Sequence, residues 1–194
     1  MKKIIVTSYG LTSKVGRKLI AKELKKDSDL HNKTIFLFHE PYYSIEDILI
    51  NVCVDEIGIK RENVMVVDSA KAVQQVEAAD YIYVTEGNTF KILDRIHKCG
   101  IRESIRTAVE RGCVYIGASA GAMIAGTSVE EALNMDENRT LLDDFTALGL
   151  YDGLILPHYE KNELKRYIAN SPGITTRYKN IVSVANGEIK VLES

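Results

Sequence analysis

Short apolar runs rich in β-branched residues alternate along the chain with segments whose apolar positions recur every three to four residues. That alternation predicts an α/β fold: a mostly parallel sheet with helices on both faces. Lys3–Thr7 predicts a first strand, and Val15, Leu19, Ile20 and Leu24 line one side of a predicted helix over Lys14–Leu24. Thr34–Phe38 predicts the second strand. Ser44, with Asp47 three residues on, has the spacing of a weak capping box and opens a helix that Gly58 can end. Further strands are predicted at Val64–Val67 and Tyr81–Thr85, with a short helix around Lys71–Ala78 between them. Helices follow near Thr89–His97 and Arg102–Glu110, with Gly100 as a breaker.

Cys113–Ile116 is a continuous apolar run, as expected of a central strand buried on both faces, and it leads straight into Gly117-Ala118-Ser119-Ala120-Gly121. From Thr127 to Asp152 the pattern weakens into an acidic, irregular stretch, read as either a lid or an interface. Leu154–Leu156 then predicts a short strand ending at Pro157-His158, and Asn162–Ala169 a helix. Ile181–Val184 and Ile189–Leu192, around Asn186-Gly187, read as a closing hairpin. No internal repeat or linker interrupts the pattern, so the 194 residues are read as one domain, 1–194.

Charge removes several classes of function. Twenty-five Lys and Arg against 27 Asp and Glu leave a formal charge of −2, and no positive field draws the chain to phosphate backbones or anionic lipid. The expectation is therefore no nucleic acid and no membrane partner. The apolar run within Met1–Thr7 is too short for a signal-peptide core, and no later stretch reaches the ~20 apolar residues of a membrane span. A cytoplasmic location follows as an expectation. Cys53, Cys99 and Cys113 are widely spaced and read as reduced, buried thiols, while His31, His39, His97 and His158 lack metal-ligand spacing. Neither a metal nor a cofactor is expected.

The chemistry concentrates at Ser119. A serine hydroxyl becomes a useful nucleophile only when held clear of its neighbours, beside a base and beside donors for the oxyanion. A strand running into G-x-S-x-G and then a helix makes a sharp turn with the serine at its apex. His158 follows Leu154-Ile155-Leu156-Pro157, just past a strand's carboxyl end, on the edge that Ser119 also occupies, and is the candidate general base. Thr85-Glu86-Gly87-Asn88-Thr89 ends a strand and opens a helix. It reads either as a plain capped turn or as the source of a Gly87 N–H that joins the Ala120 N–H in an oxyanion hole. Ser8–Ser13 lacks both G-x-G-x-x-G and G-K-[ST], so no nucleotide site follows from it. Cys113, on the strand rather than in the turn, is rejected as a nucleophile.

Three blocks in order, Glu86-Gly87-Asn88-Thr89-Phe90, Gly117-Ala118-Ser119-Ala120-Gly121-Ala122 and Leu156-Pro157-His158-Tyr159, resemble peptidase E, the aspartyl dipeptidases of serine peptidase family S51. The resemblance implies a three-layer fold like class I glutamine amidotransferases, a cytoplasmic setting and hydrolysis of small peptides, dipeptides with N-terminal aspartate among them. It implies Ser119 as nucleophile, His158 as base, and the Gly87 and Ala120 amides as oxyanion donors. The sequence departs from the family pattern at Glu86, where members usually carry glycine. A carboxylate aimed at the oxyanion hole would oppose the transition state, so Glu86 is expected to point away. The third triad member, an acid in the family, is left open among Glu188, Asp136, Asp143, Asp144, Asp152 and Glu160. Arg166 and Arg177 are candidates to pair with a substrate carboxylate. Two alternatives stand beside the peptidase reading: a catalytically silent relative binding a small ligand or partner in the same cleft, and an esterase or acyltransferase using the same Ser-His pair. Assembly of identical copies is left open.

Overall fold

In the computed structural model, which describes residues 2–41 and 44–193, the apolar runs become the strands that alternation predicts. The main sheet takes β1 (Lys3–Thr7), β2 (Ile35–Phe38), β3 (Val64–Val66), β4 (Tyr81–Val84) and β5 (Val114–Ala118), all parallel. A second, two-stranded parallel sheet pairs β6 (Leu154–Pro157) with β7 (Ile181–Val184). The last strand, β8 (Ile189–Glu193), runs antiparallel to β1, so the main sheet has the order β3-β2-β4-β5-β1-β8. Every residue of β2 and of β4 is buried, because helices cover both faces.

Alternation along each strand sends side chains to opposite faces. Ile5, Leu37, Tyr83 and Ile116 pack with Ile20 and Leu24 of α1 (Lys14–Leu24) and with Leu49 of α2 (Glu46–Asn51). The intervening Ile4, Phe36, Ile82 and Tyr115 pack on the other face. Their partners there include Val76 of α3 (Ala72–Glu77), Leu93 of α4 (Thr89–Lys98), Ile105 of α5 (Arg102–Glu110) and Met123 of α6 (Ala120–Ile124). Ile155 of β6 joins the same cluster, which lays the small sheet against that face. Leu164 and Tyr167 of α7 (Lys161–Asn170) and Ile174 of α8 (Ile174–Arg177) close its rim. The architecture is three-layer α/β.

The expected closing hairpin is corrected by this arrangement. Ile181–Val184 and Ile189–Glu193 flank a turn but do not pair with each other: the first adds to β6 and the second to β1. An Asn-Gly pair specifies a turn, whereas strand partners are chosen by remote edges, here those of β6 and β1. The proposed capping box at Ser44 also gives way. Ile45 occupies the N-cap of α2 with no side-chain bond, and the helix runs through a π-helical turn, Val52–Ile57, before Gly58 at φ 98° ends it as expected. Helix α8 was not foreseen, since four residues are too few to display a period.

Candidate active site

Strand β5 ends at Ala118 and the chain reverses at Ser119, which sits at φ 48° and ψ −107°. This is a costly region for a residue with a Cβ, at about 1–3 kcal/mol, and the surroundings must hold it there. The Ser119 N–H donates to Thr7 O at 2.9 Å, extending the β1–β5 ladder to the apex, and the Ala122 N–H returns to Ser119 O at 2.9 Å. The two glycines of G-x-S-x-G make the reversal fit. A methyl group at Gly117 would collide with the Gly121 carbonyl, and one at Gly121 with the Val84 carbonyl. Helix α6 therefore lies directly on the ends of β4 and β5, and the Gly121 N–H reaches Thr85 O at 3.2 Å.

His158 takes the corresponding place on the small sheet, one residue past β6, also with a positive φ of 67°. Its N–H donates to Ser8 Oγ at 2.9 Å, and the buried Ser8 hydroxyl donates in turn to Val184 O at 2.7 Å. One serine at the end of β1 thus clamps the ends of both β6 and β7 onto the main sheet. The imidazole lies against Tyr9, with ring centroids 5.7 Å apart in an edge-to-face arrangement. Ser119 Oγ donates to His158 Nε2 at 2.9 Å. On the far side, His158 Nδ1–H donates to Asn186 Oδ1 at 2.8 Å.

Asn186 is the residue that sequence reasoning missed. Five of the six acids weighed for its place are occupied otherwise. Glu188 accepts from the Ala185 N–H at 2.9 Å, and Asp136 takes the Thr89 N–H and hydroxyl at 2.8 and 2.6 Å. Asp144 accepts from the Thr146 N–H, Asp152 pairs with Lys179, and Glu160 forms a capping box with Glu163 at the start of α7. Asp143 is exposed in the 127–152 stretch and no hydrogen bond or ion pair of it is among those of the described residues. A search confined to carboxylates passes over Asn186, although its position just past a strand's carboxyl end is itself a signal.

The Glu86–Thr89 turn lies beside the elbow, because Thr85 is bonded to Gly121. Glu86 points away, as its replacement of glycine requires. Its carboxylate accepts from the Thr12 N–H at 3.3 Å, from the Thr12 hydroxyl and from Tyr83 Oη–H at 2.9 Å, in space that a side chain at Gly10 would fill. Burial, with the Glu86 charge beside it, pushes the Tyr83 hydroxyl well above the ordinary tyrosine range. Tyr83 therefore stays a neutral donor, matched to a carboxylate acceptor. Gly87, exposed at φ 142°, leads into Asn88, which caps α4 by accepting from the Lys91 N–H at 3.1 Å. Glu40 holds this turn from outside through the Asn88 N–H at 2.9 Å and Lys91 Nζ at 2.7 Å. Ala120 opens α6, so the helix itself offers its N–H no acceptor.

The stretch 127–152 is strapped at both ends of its short helical turn, Glu130–Asn134. Asp136 binds Thr89 as above, and Arg177 binds Glu130 at 2.7 Å and the buried Glu131 at 3.1 Å. Tyr167 adds a hydrogen bond to Glu131. Arg177 is thereby committed to structure, and Arg166 lies exposed on α7. Cys53 and Cys113 are buried, and burial pushes both thiols up to about 12, which suits them to packing and not to nucleophilic attack. Cys99 is half-buried, not buried as expected. A cavity of about 890 Å³ lies past the Glu40–Lys91 pair, lined by His39, Asp94, Arg95 and Arg139 among others, and includes neither Ser119 nor His158. Among the described residues, no helix is long and apolar enough to cross a membrane and no group of three His, Cys, Asp or Glu could hold a metal.

A strained serine at a strand-to-helix turn with an imidazole on its hydroxyl is the arrangement of the serine hydrolases. Comparison with known proteins narrows the class. The model of peptidase family S51 matches residues 51–192. A protein called an uncharacterized peptidase in Pasteurella multocida is 37% identical over 92 residues, covering 46% of this chain and 44% of its own length. One of the same description in Listeria innocua is 28% identical over 171 residues, 84% of this chain and 81% of that protein. A Shewanella amazonensis peptidase E is 40% identical over 86 residues, 44% of this chain and 36% of its own. The alignments with the Pasteurella and Shewanella proteins thus span less than half of those relatives' length. A crystal structure of a candidate peptidase E protein from Listeria monocytogenes superposes with a TM-score of 0.68 at 26% identity, over 99% of this chain and 97% of that one. The chain belongs to peptidase family S51.

Proposed function

We propose that this chain hydrolyses an amide bond of small peptides through an acyl-enzyme on Ser119, with His158 as general base. The observation that carries the reading is the 2.9 Å hydrogen bond from Ser119 Oγ to His158 Nε2, made by a serine held at φ 48°. In the first half-reaction Ser119 Oγ attacks the scissile carbonyl while its proton passes to His158 Nε2. The Gly87 and Ala120 amides stabilise the oxyanion, and the C–N bond breaks as the imidazolium protonates the leaving amine. Water, deprotonated by the same nitrogen, then releases the acid and restores the serine. Glu86, drawn off to Thr12 and Tyr83, leaves the hole free of its charge. With Arg177 engaged by Glu130 and Glu131, the arginines lend no support to an N-terminal aspartate requirement, and the proposal stays at small peptides. The three free cysteines suit a cytoplasmic setting.

A small fluorophosphonate, read by intact mass, tests the reading. The wild type is expected to take a single adduct, Ser119→Ala none, and His158→Ala to label at least about a hundred-fold more slowly. A folded wild type that stays unlabelled by a probe small enough to enter the cleft would sink the proposal in favour of a silent, ligand-binding relative. Release of amine from dipeptides separates the peptidase from the esterase, since both would turn over simple esters but only the first cleaves the amide bond.

A further inference from the structure

We infer that Asn186 is the third member of a Ser119–His158–Asn186 relay, a neutral positioning residue standing where the resemblance to peptidase E leads one to expect a carboxylate. The inference rests on the reading of Ser119 and His158 above and adds the device that selects the base's tautomer.

Ala185-Asn186-Gly187-Glu188 closes through Glu188 N–H to Ala185 O at 3.0 Å, with Gly187 at φ 80° and Asn186 not among the residues of positive φ. That combination is a type II turn and not the type I′ turn of a tight hairpin. The turn is fixed from outside as well, because the Thr7 hydroxyl donates to Glu188 O at 2.9 Å. Since Thr7 also accepts the Ser119 N–H, one residue of β1 braces both the nucleophile's apex and the turn carrying Asn186.

An amide oxygen can only accept. Asn186 Oδ1, 2.8 Å from His158 Nδ1, therefore requires the proton on Nδ1 and leaves the lone pair of Nε2 facing Ser119 Oγ. That is the tautomer a general base needs. What Asn186 does not supply is a negative charge to stabilise the imidazolium formed during attack. The other groups around His158 do not replace it: Tyr9 presents its ring and Ser8 its hydroxyl. Glu160 is bound into the cap of α7, Glu188 is held by the Ala185 amide and by Lys190 at 3.6 Å, and Glu86 faces Thr12 and Tyr83. Asn186 is exposed, so water competes for Nδ1–H and its removal should cost about ten-fold in rate and no more.

The test measures the second-order rate of fluorophosphonate labelling against pH for the wild type, Asn186→Ala and Asn186→Asp, with the nitrogen-15 signals of the His158 ring as an independent readout. The wild type is expected to show protonated Nδ1, and Asn186→Ala to lose that preference and label about ten-fold more slowly. Asn186→Asp should keep the tautomer, label at least as fast as wild type, and move the acidic limb of the profile up by about one pH unit, because a carboxylate favours the imidazolium. Wild-type rate, profile and ring signals in Asn186→Ala would overturn the inference. So would an Asn186→Asp variant that is as slow as Asn186→Ala with an unmoved limb, since a merely structural role predicts that result. A wild type that takes no label fails earlier, at the reading of Ser119 itself.

Discussion

At the scale of single residues, strain and hydrogen bonding are matched at the site. Ser119 and His158 both hold positive φ values without being glycine, and they end strands of two different sheets. Neither conformation would persist unless neighbours imposed it. Ser8 does much of this for His158: its hydroxyl takes the His158 N–H and gives its own proton to Val184 O, a carbonyl buried at 0% exposure. Replacing Ser8 by alanine would strand that carbonyl and release the histidine backbone. Ser8→Ala is therefore expected to lose about 1–3 kcal/mol in urea unfolding and to label more slowly at Ser119. An unchanged unfolding midpoint would mean that the clamp contributes nothing to holding the sheets together.

At the scale of elements, the elbow works because a five-residue helix can lie almost in contact with two strand ends. Gly121 is where the approach is closest, since an added methyl would meet the Val84 carbonyl, a backbone atom that cannot swing aside. Gly121→Ala is expected to destabilise the chain by about 3 kcal/mol or more and to abolish labelling, with thermal unfolding as the check. A stable, fully labelled variant would show that α6 can shift without cost. These elements were legible in the sequence because their causes are local. Short apolar runs placed the strands and period-3.6 patterns the helices, including Lys14–Leu24 and Arg102–Glu110 at their observed ends. The G-x-S-x-G spacing placed the turn. What the sequence could not display was pairing: the partners of Ile181–Val184 lie 27 residues away in the chain, at β6, and those of Ile189–Glu193 lie 182 to 190 residues away, at β1. Asn186 was hidden by the same ignorance, because only the splitting of β7 and β8 between two sheets swings their turn onto His158.

At the scale of the whole molecule, the two ends of the parallel strands divide the labour. The carboxyl ends of β1, β4, β5, β6 and β7 carry the strained residues and the candidate chemistry, while the opposite end carries ion pairs. Lys3 opens β1 and binds Glu23 of α1 at 3.3 Å, with Lys26 on the same carboxylate. Tyr81 opens β4 and donates to Asp27 at 2.7 Å. The Lys26 hydrogen bond, helped by Lys3 against the cost of burial, holds Glu23 below its ordinary value of 4.5, and the Tyr81 hydroxyl with the Asp29 amide holds Asp27 low. A carboxylate whose folded-state value is depressed contributes stability that is fully present above its unfolded value and is lost as pH falls through the folded one. The urea midpoint is therefore expected to be flat near neutrality and to drop as pH falls below about 4.5. A Glu23→Gln, Asp27→Asn double variant should start from a lower midpoint at pH 7 and descend less steeply, while its Ser119 labelling at pH 7 stays at the wild-type rate, because the exchanged groups lie at the far end of the strands. A double variant with the wild-type acid slope would shift the loss to other carboxylates, such as Asp144, which the Thr146 hydroxyl and amide hold low in the strapped 127–152 stretch.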